Sequence, residues 1–372
     1  MNLDRQHMAR ALALAERGHG RVSPNPMVGA VVARGGRVVG EGYHVQLGGA
    51  HAEVMALSRA GGRARGATLY VTLEPCCHQG RTGPCTRAVV SAGVTRVVAA
   101  MRDPNPLVAG RGFAELRRHH VAVEVGLGGG AARLLNRSFV KHVSCGLPYV
   151  TLKEAVSLDG RIALASGHSR WITGAGARRL AHVLRRESDA VLVGLGTALA
   201  DDPELSVRRG ARIVKPVLRV VLDAGLRLPA SARLLRQAAS AGPVRVYCSR
   251  SAGRRRRLKL EACGASVAVV PSRSGRLNLE AVLRDLGSRG VGRLLVEGGG
   301  EVAASFLGRG LVDRVVLHMA PIFLGGDARA AVAGLGLSRL AEVPRLVTWT
   351  SRRVGRDLIL EGEVRTGVHR HH

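Results

Sequence analysis

Hydrophobic positions in this chain follow two interleaved rhythms: short β-branched runs, and amphipathic stretches whose apolar residues recur three or four apart. The N-terminal part predicts a helix over 8–16, strands over 28–33 and 38–43 about the turn Gly35–Gly36, and a helix over 52–60. A strand over 68–72, a helix over 86–92, a strand over 94–100, a helix over 113–119, a strand over 121–125 and a helix over 131–143 follow. Strands alternating with helices give an α/β layered sheet. The short break Gly146-Leu147-Pro148 interrupts the pattern, which sets a first domain at 1–146 and a second at 147–366. Beyond it, apolar strands are predicted over 149–155, 190–194, 217–222, 244–248, 294–297 and 315–319. Helical runs over 178–186, 231–237 and 279–289 lie between them, so the second domain is again α/β with a mostly parallel sheet.

Composition narrows the possibilities. At 372 residues two domains are the default, and 46% hydrophobic residues with a mean hydropathy of +0.09 suffice for two cores. The sequence has no stretch of about 18 apolar residues, so no membrane span is expected. The start Met1-Asn2-Leu3-Asp4-Arg5 lacks the basic-then-apolar pattern of a secretory signal. Three of the six cysteines fall between 76 and 85, a spacing that suits metal binding in a reducing cytoplasm rather than a disulfide framework. Cys145, Cys248 and Cys263 belong to no motif. The formal charge of +29 is carried by arginine, since only four of 56 basic residues are lysine. Such charge favours phosphorylated ligands. Aromatics make up only 3%, too few to interleave with the arginines as base-stacking platforms, so no specific nucleic acid is expected. The run Arg254 to Arg257 reads as the solvated face of a helix.

The most informative segment is Glu74-Pro75-Cys76-Cys77-His78 through Cys85, with His51-Ala52-Glu53 upstream. It supplies an imidazole, two thiolates and a free carboxylate. Zn²⁺ prefers tetrahedral N/S coordination and, in catalytic sites, keeps one position open for water. A glutamate that does not bind the metal then shuttles protons, as in zinc deaminases. Residues two apart do not share a helix face, so His51 serves as ligand while Glu53 points to the water. The strand over 68–72 delivers Cys76, and Cys85 falls at a helix N-terminus that favours thiolate. The general deaminase signature has two residues between its cysteines, whereas eight separate Cys76 from Cys85 here. Cys77 and His78 compete as ligands; Cys76, directly after the proline, is the choice.

On these residues the chain resembles the bifunctional riboflavin-biosynthesis deaminase/reductase family. The resemblance runs from about Asp4 to about Gly362, through Ser23-Pro24-Asn25-Pro26-Met27-Val28-Gly29, Gly40-Glu41-Gly42-Tyr43-His44, the long-spaced cysteines and Asp103-Pro104-Asn105-Pro106. In the second half it includes Lys153 to Gly160, Ala165 to Thr173, Gly194 to Pro203, Val296 to Gly300 and Leu311-Val312-Asp313. The sequence departs from the family at His168, at Gly174 to Gly176 and at Ala224.

The resemblance implies a cytidine-deaminase-like domain followed by a dihydrofolate-reductase-like domain. It implies Zn²⁺ and NADPH as cofactors and a phosphorylated pyrimidine as substrate, with deamination preceding reduction of its ribosyl group. It assigns cofactor contacts to Ala155, Trp171, Thr197, Asp201, Gly299 and Gly300, the last two in a glycine turn entering a helix over 302–307. Substrate contacts fall to Asn25, Arg81, Asn105, Lys153, Ser169, Arg185, Leu205, Arg208 and Glu297, with Asp201 also the acid of the reduction. Asn25 and Asn105 are equally turn formers beside their prolines, and Trp171 has a core residue as its alternative. The family also implies self-association through the reductase-like half. The competing reading is a nucleic-acid deaminase of the tRNA-adenosine type with an unrelated C-terminal module; a third is a binding protein with inactive sites.

Overall fold

The alternating pattern of the N-terminal part becomes a five-stranded sheet flanked by helices. The structure is a computed structural model that describes residues 3–79, 83–210 and 212–365, and it divides into two units, Met1–Leu147 and Pro148–His372. The first unit opens with α1 (Leu3–Glu16), β1 (Gly29–Arg34), β2 (Arg37–Tyr43), α2 (Ala52–Ala60) and β3 (Thr68–Val71). It continues with α3 (Cys85–Ser91), β4 (Arg96–Ala99), α4 (Arg111–Arg118), β5 (Ala122–Val125), α5 (Gly129–Leu135) and α6 (Arg137–Cys145). The sheet order is β2-β1-β3-β4-β5, antiparallel on either side of β1 and parallel from β3 to β5.

Helices press so closely on this sheet that only glycine fits where Gly29, Gly40 and Gly42 stand. A Cβ on Gly29 would lie 2.0 Å from the Ala11 carbonyl of α1, and one on Gly42 would lie 2.6 Å from the Ala52 carbonyl of α2. The second approach seats the first turn of α2, where His51 and Glu53 stand. Ala52, Ala56 and Ala60 line the buried side of that helix with the core valines of β1.

The continuous helix expected over 131–143 is broken. Asn136 leaves helical geometry (φ −100°, ψ 15°) between α5 and α6. Its side chain is engaged elsewhere: Oδ1 accepts the Met27 amide at 2.8 Å and Nδ2 donates to the Met27 carbonyl at 2.9 Å. This tertiary pair pins the loop that carries Asn25.

The second unit begins with β6 (Tyr149–Val156), β7 (Arg161–Ala163), α7 (Ala175–Glu187), β8 (Ala190–Gly194), α8 (Leu195–Asp201) and β9 (Val207–Arg209). Next come β10 (Arg212–Lys215), β11 (Leu218–Leu222), α9 (Arg233–Arg236), α10 (Ala238–Ala241), β12 (Val244–Cys248), α11 (Arg254–Ala262) and β13 (Ala265–Val269). The remainder is β14 (Ser272–Arg273), β15 (Arg276–Leu277), α12 (Leu279–Ser288), β16 (Arg293–Glu297), α13 (Gly300–Gly308), β17 (Arg314–Met319), β18 (Arg329–Ala330), β19 (Leu346–Val354) and β20 (Asp357–Val364). Nine strands form the main sheet in the order β13-β12-β11-β8-β16-β6-β17-β20-β19. Strands β13 to β17 run parallel, and β20 and β19 close the sheet antiparallel.

Sheet order departs from chain order at one informative place. The chain leaves β6 for β8, and β16 later fills the gap between them. Ligands of open α/β sheets bind where such reversals leave a crevice at the carboxyl ends of the strands. Those ends here carry Gly194, Glu297 and the segment after Lys153. The hairpin β19–β20 was not expected, because β19 is exposed along most of its length and shows no alternation. Arg254 to Arg257 begin α11 and are exposed, as a solvated helix face requires.

Replacing Asn136 with Ala removes both bonds to Met27 and leaves a buried amide without a partner. Urea unfolding should show a loss of about 2–4 kcal/mol in the first unit; an unchanged midpoint would exclude the pinning role.

Candidate active sites

In the first unit, three separate stretches bring donor atoms to one point. His51 is the N-cap of α2, Cys76 follows β3, and Cys85 is the first residue of α3. Their ligand atoms lie within 4.8 Å of one another, the one such cluster of histidine, cysteine and acidic residues found among the described residues. His51 Nδ1 is 3.1 Å from Cys85 Sγ and 3.5 Å from Cys76 Sγ. Ligands at zinc bond lengths and a tetrahedral angle stand about 3.5 Å apart for an N/S pair. The donor set therefore fits a zinc ion in both chemistry and spacing. Cys77 is not part of the cluster, and burial raises its thiol. The Cys85 amide donates to Cys76 Sγ at 3.4 Å, so the start of α3 stabilises that sulfur as an anion.

The protonation of the cluster follows from these contacts. The Cys76 thiol is held down to about 4, first by its hydrogen bond with Cys85 and further by His51. Cys85 is pushed up by the same bond and by burial, and the Cys76 contact raises His51. Glu53, only 4% exposed, is raised to about 7 by burial and then by the Cys76 charge. A carboxyl with such a pKa exchanges protons readily at neutral pH.

Two further residues shape this site without having been singled out. His44 stacks edge-on against His51 with ring centroids 5.6 Å apart, and Asn25 Nδ2 lies 3.4 Å from His44 Nε2. Asn25 is thereby placed beside the cluster. Glu74, 3% exposed, accepts the amides of Asp103, Gly110 and Phe113 at 3.1, 2.9 and 3.2 Å. That carboxylate fastens the 103–113 loop to the end of β3. Its place beside Pro75 was the available signal, but the amides it holds are about 30 residues downstream, beyond local sequence reading. Asn105 is seen in a turn role: its Oδ1 accepts the Leu107 amide at 3.0 Å. Arg81 lies outside the described residues.

In the second unit the expected residues fall into three local groups. Arg185 of α7 donates to both oxygens of Glu297, at 2.7 and 2.6 Å. Burial pushes Glu297 up, but the Arg185 guanidinium, with Lys153 and His182, holds it below the usual carboxylate range. Lys153 is the register partner of Glu297 on β6. Arg208 Nε donates to Ser206 Oγ at 2.9 Å and also pairs with Glu204. Leu205, between them, is 2% exposed and packed in the core. Its side chain is thus unavailable as a contact, and only its backbone can face a ligand.

The second group is the turn after β16. Gly298 and Gly299 have φ of 74° and 92°, and a Cβ on Gly299 would lie 3.0 Å from Thr197 Oγ1. A Cβ on Gly300 would lie 2.3 Å from the Ala330 carbonyl. The turn therefore abuts Thr197 of α8 and enters α13, whose first-turn amides suit a phosphate anion. Backbone this close to its neighbours, opening a helix at a strand-order reversal, fits a dinucleotide pyrophosphate. The third group joins Asp201 to Ser169, 3.5 Å apart, and the Arg170 guanidinium donates to the Asp201 carbonyl. Trp171 is 67% exposed, with the Arg178 guanidinium over its ring at 4.6 Å, so it is not a core residue. Ala155 pairs with His318 across β6 and β17.

Comparison with known proteins resolves which chemistries these sites serve. Residues 1–101 match the cytidine and deoxycytidylate deaminase zinc-binding region, and residues 148–360 match the RibD C-terminal domain. The riboflavin biosynthesis protein RibD of Escherichia coli K12 is 41% identical over 368 residues, covering 96% of this chain and 98% of its own. The chain belongs to the RibD family. The RibD of Aquifex aeolicus is likewise 41% identical, over 358 residues, with 96% and 98% covered. Among solved structures, an Acinetobacter baumannii RibD superposes with a TM-score of 0.88 at 38% identity, covering 98% of this chain and 99% of that one. A Thermotoga maritima diaminohydroxyphosphoribosylaminopyrimidine deaminase/5-amino-6-(5-phosphoribosylamino)uracil reductase gives 0.83 at 35% identity, covering 98% and 99%. The RibD match over 148–360 removes the reading of an unrelated C-terminal module.

Removing either sulfur leaves two protein ligands. Cys76→Ser and Cys85→Ser chains are expected to lose the stoichiometric zinc of the parent chain, measured by plasma mass spectrometry after dialysis; Cys77→Ser should retain it.

Proposed function

We propose that the first unit deaminates a diaminopyrimidinone carrying a phosphoribosylamino group, and that the second reduces the ribosyl chain of the product to ribityl with NADPH. Membership of the RibD family makes the chain a bifunctional deaminase/reductase of riboflavin biosynthesis, with zinc in the first unit and NADPH in the second. The assignment of individual residues is the proposal. The observation that carries it is a buried carboxyl, raised to about 7, beside an imidazole and two sulfurs spaced for zinc.

His51, Cys76 and Cys85 would hold the zinc, which when bound supplies Lewis acidity that makes water nucleophilic near neutral pH. Glu53 takes the proton from that water as its oxygen attacks the amino-bearing ring carbon. It then returns the proton to the departing nitrogen, so that the C–O bond forms, the C–N bond breaks and ammonia leaves. Asn25, near His44, orients the pyrimidine. Asn105 and Arg81 would bind the phosphoribosyl end.

In the second unit Thr197 and the turn Gly299–Gly300 would hold the cofactor phosphates, with Ala155 and Trp171 along the dinucleotide. When bound, NADPH supplies two electrons and a hydrogen to C1′ of the ring-opened ribose. Asp201, steadied by Ser169, delivers the balancing proton. Arg185 is held by Glu297 and Arg208 by Glu204 and Ser206; Lys153, with Arg208 exchanging its partners for the ligand, would meet the substrate phosphate, and Glu297 would be the acceptor for ribityl hydroxyls. The Leu205 backbone completes that wall.

The same proposal includes self-association of the reductase unit. Outer strand β19 carries exposed Val347 and Trp349, a long sheet edge of the kind that pairs with a second copy. No helix among the described residues is long and apolar enough to cross a membrane. The reduced cysteines suit the cytoplasm as the site of action.

Glu53→Gln should retain zinc and lose at least about 100-fold in ammonia release while NADPH oxidation on the deaminated substrate is unchanged; retained deamination would remove Glu53 from the mechanism. Asp201→Asn should slow NADPH oxidation by about 100-fold and leave ammonia release intact, and equal damage to both steps would count against separate sites.

A further inference from the structure

One buried acid in the second unit has no part in the chemistry above. Glu154 stands on β6 next to Lys153, is 3% exposed, and accepts a hydrogen bond from the Gly298 amide. Lys153 is the register partner of Glu297, so Glu154 lies level with the residue where β16 gives way to the glycine turn. Its Oε1 is buried and has no hydrogen-bond partner among the described residues.

Burying a carboxyl with one oxygen unsatisfied costs stability, whereas an apolar side chain of similar length would cost none. A purely structural role does not explain it. The turn it touches has little other support: Gly298 and Gly299 occupy backbone of positive φ outside the sheet ladder, and the Gly299 carbonyl joins α13 by accepting the Val302 and Ala303 amides at 2.9 and 3.0 Å.

We propose that Glu154 is a positioning residue for the dinucleotide, setting the shape and the charge of the turn Gly298–Gly300 from beneath and thereby the grip on the cofactor phosphates. The inference rests on the reading of that turn as the phosphate site. Shape comes from the bond to the Gly298 amide, which fixes the first peptide of the turn. Charge comes from the protonation state of the acid itself.

Burial, then the charge of Glu297, pushes the Glu154 carboxyl up to about 8 against the pull of Lys153. Lys153 on its own strand and Glu297 on β16 are thus the charged groups that act on it. On β17 its register partner is Leu317, and the adjacent His318 is pushed down to about 4, chiefly by burial, and is uncharged. Below about pH 8 the turn therefore rests on a neutral acceptor. Above it an anion faces bound phosphates through one peptide unit, so affinity falls as pH rises.

The test is titration calorimetry of NADP⁺ into the whole chain at pH 7 and pH 9, a range over which the ligand's 2′-phosphate, with its second pKa at about 6, gains only a small fraction of a negative charge. For the parent chain the Kd should rise about fivefold between the two. Glu154→Gln, which keeps an acceptor oxygen and cannot ionise, should match the parent at pH 7 and lose the pH dependence. Glu154→Leu should bind about tenfold more weakly at both, the effect of losing one buried hydrogen bond. Gly299→Val separates the two levels of the argument. If it leaves NADP⁺ affinity unchanged, the phosphate assignment of the turn fails. If it weakens binding while the Gln variant keeps the parent's pH dependence, or the parent shows none, the role of Glu154 is overturned. The Gln variant, being isosteric, decides the matter even if the Leu variant does not fold, and ammonia release by each chain reports on the first unit.

Discussion

Everything in the first unit depends on three donor atoms meeting within 4.8 Å although they come from the start of one helix, the end of a strand and the start of another helix. Without a cation, two sulfurs and an imidazole at these distances compete for protons, which is why one thiol is drawn down and its neighbour pushed up. A divalent ion relieves that competition by satisfying all three at once. The same burial that makes the cluster costly without metal raises Glu53 into the range where a carboxyl can both take and give a proton. Ligand geometry and acid–base tuning thus share one cause, burial of these groups at the start of α2.

The second unit faces a different problem, the use of an anionic dinucleotide as cofactor. Its charge is not simply positive. Arg185 and Glu297 neutralise each other through two hydrogen bonds, and the pair presents oriented acceptor and donor edges in place of a bare charge. Backbone does the rest. The glycine turn stands against Thr197 on one side and the Ala330 carbonyl on the other, leaving no room for a Cβ. Under the proposed assignment a phosphate there would meet amides, whose partial charge does not depend on pH, beside a small number of ionisable groups that do respond to it.

Much of the site was legible because its chemistry is encoded by residue type at close spacing. His51 and Glu53 two apart and the proline before Cys76 point locally to the cluster that the structure assembles, and Glu297 followed by three glycines points to a tight turn. The parts that were not legible depend on partners distant in sequence. Asn136 looked helical and instead breaks the helix to hold Met27, 109 residues away. Glu74 reads as a motif neighbour, yet its work is to fasten the 103–113 loop. Asn105, equally a turn former or a ligand contact in sequence, caps its own turn, and Leu205 turns its side chain into the core. The exposed strand β19 carries no alternation because neither of its faces is covered.

By itself, then, the sequence determined the two α/β units, the metal-binding residue types, the general carboxyl and the glycine turn, since each arises from periodicity or from chemistry within a few residues. Only tertiary structure decided that Arg185 is committed to Glu297, that Asn136 holds Met27, and that Glu154 is buried beside the glycine turn. Those outcomes turn on distance and burial, and strand order alone brings residues more than a hundred positions apart into the few ångströms over which hydrogen bonds and desolvation act.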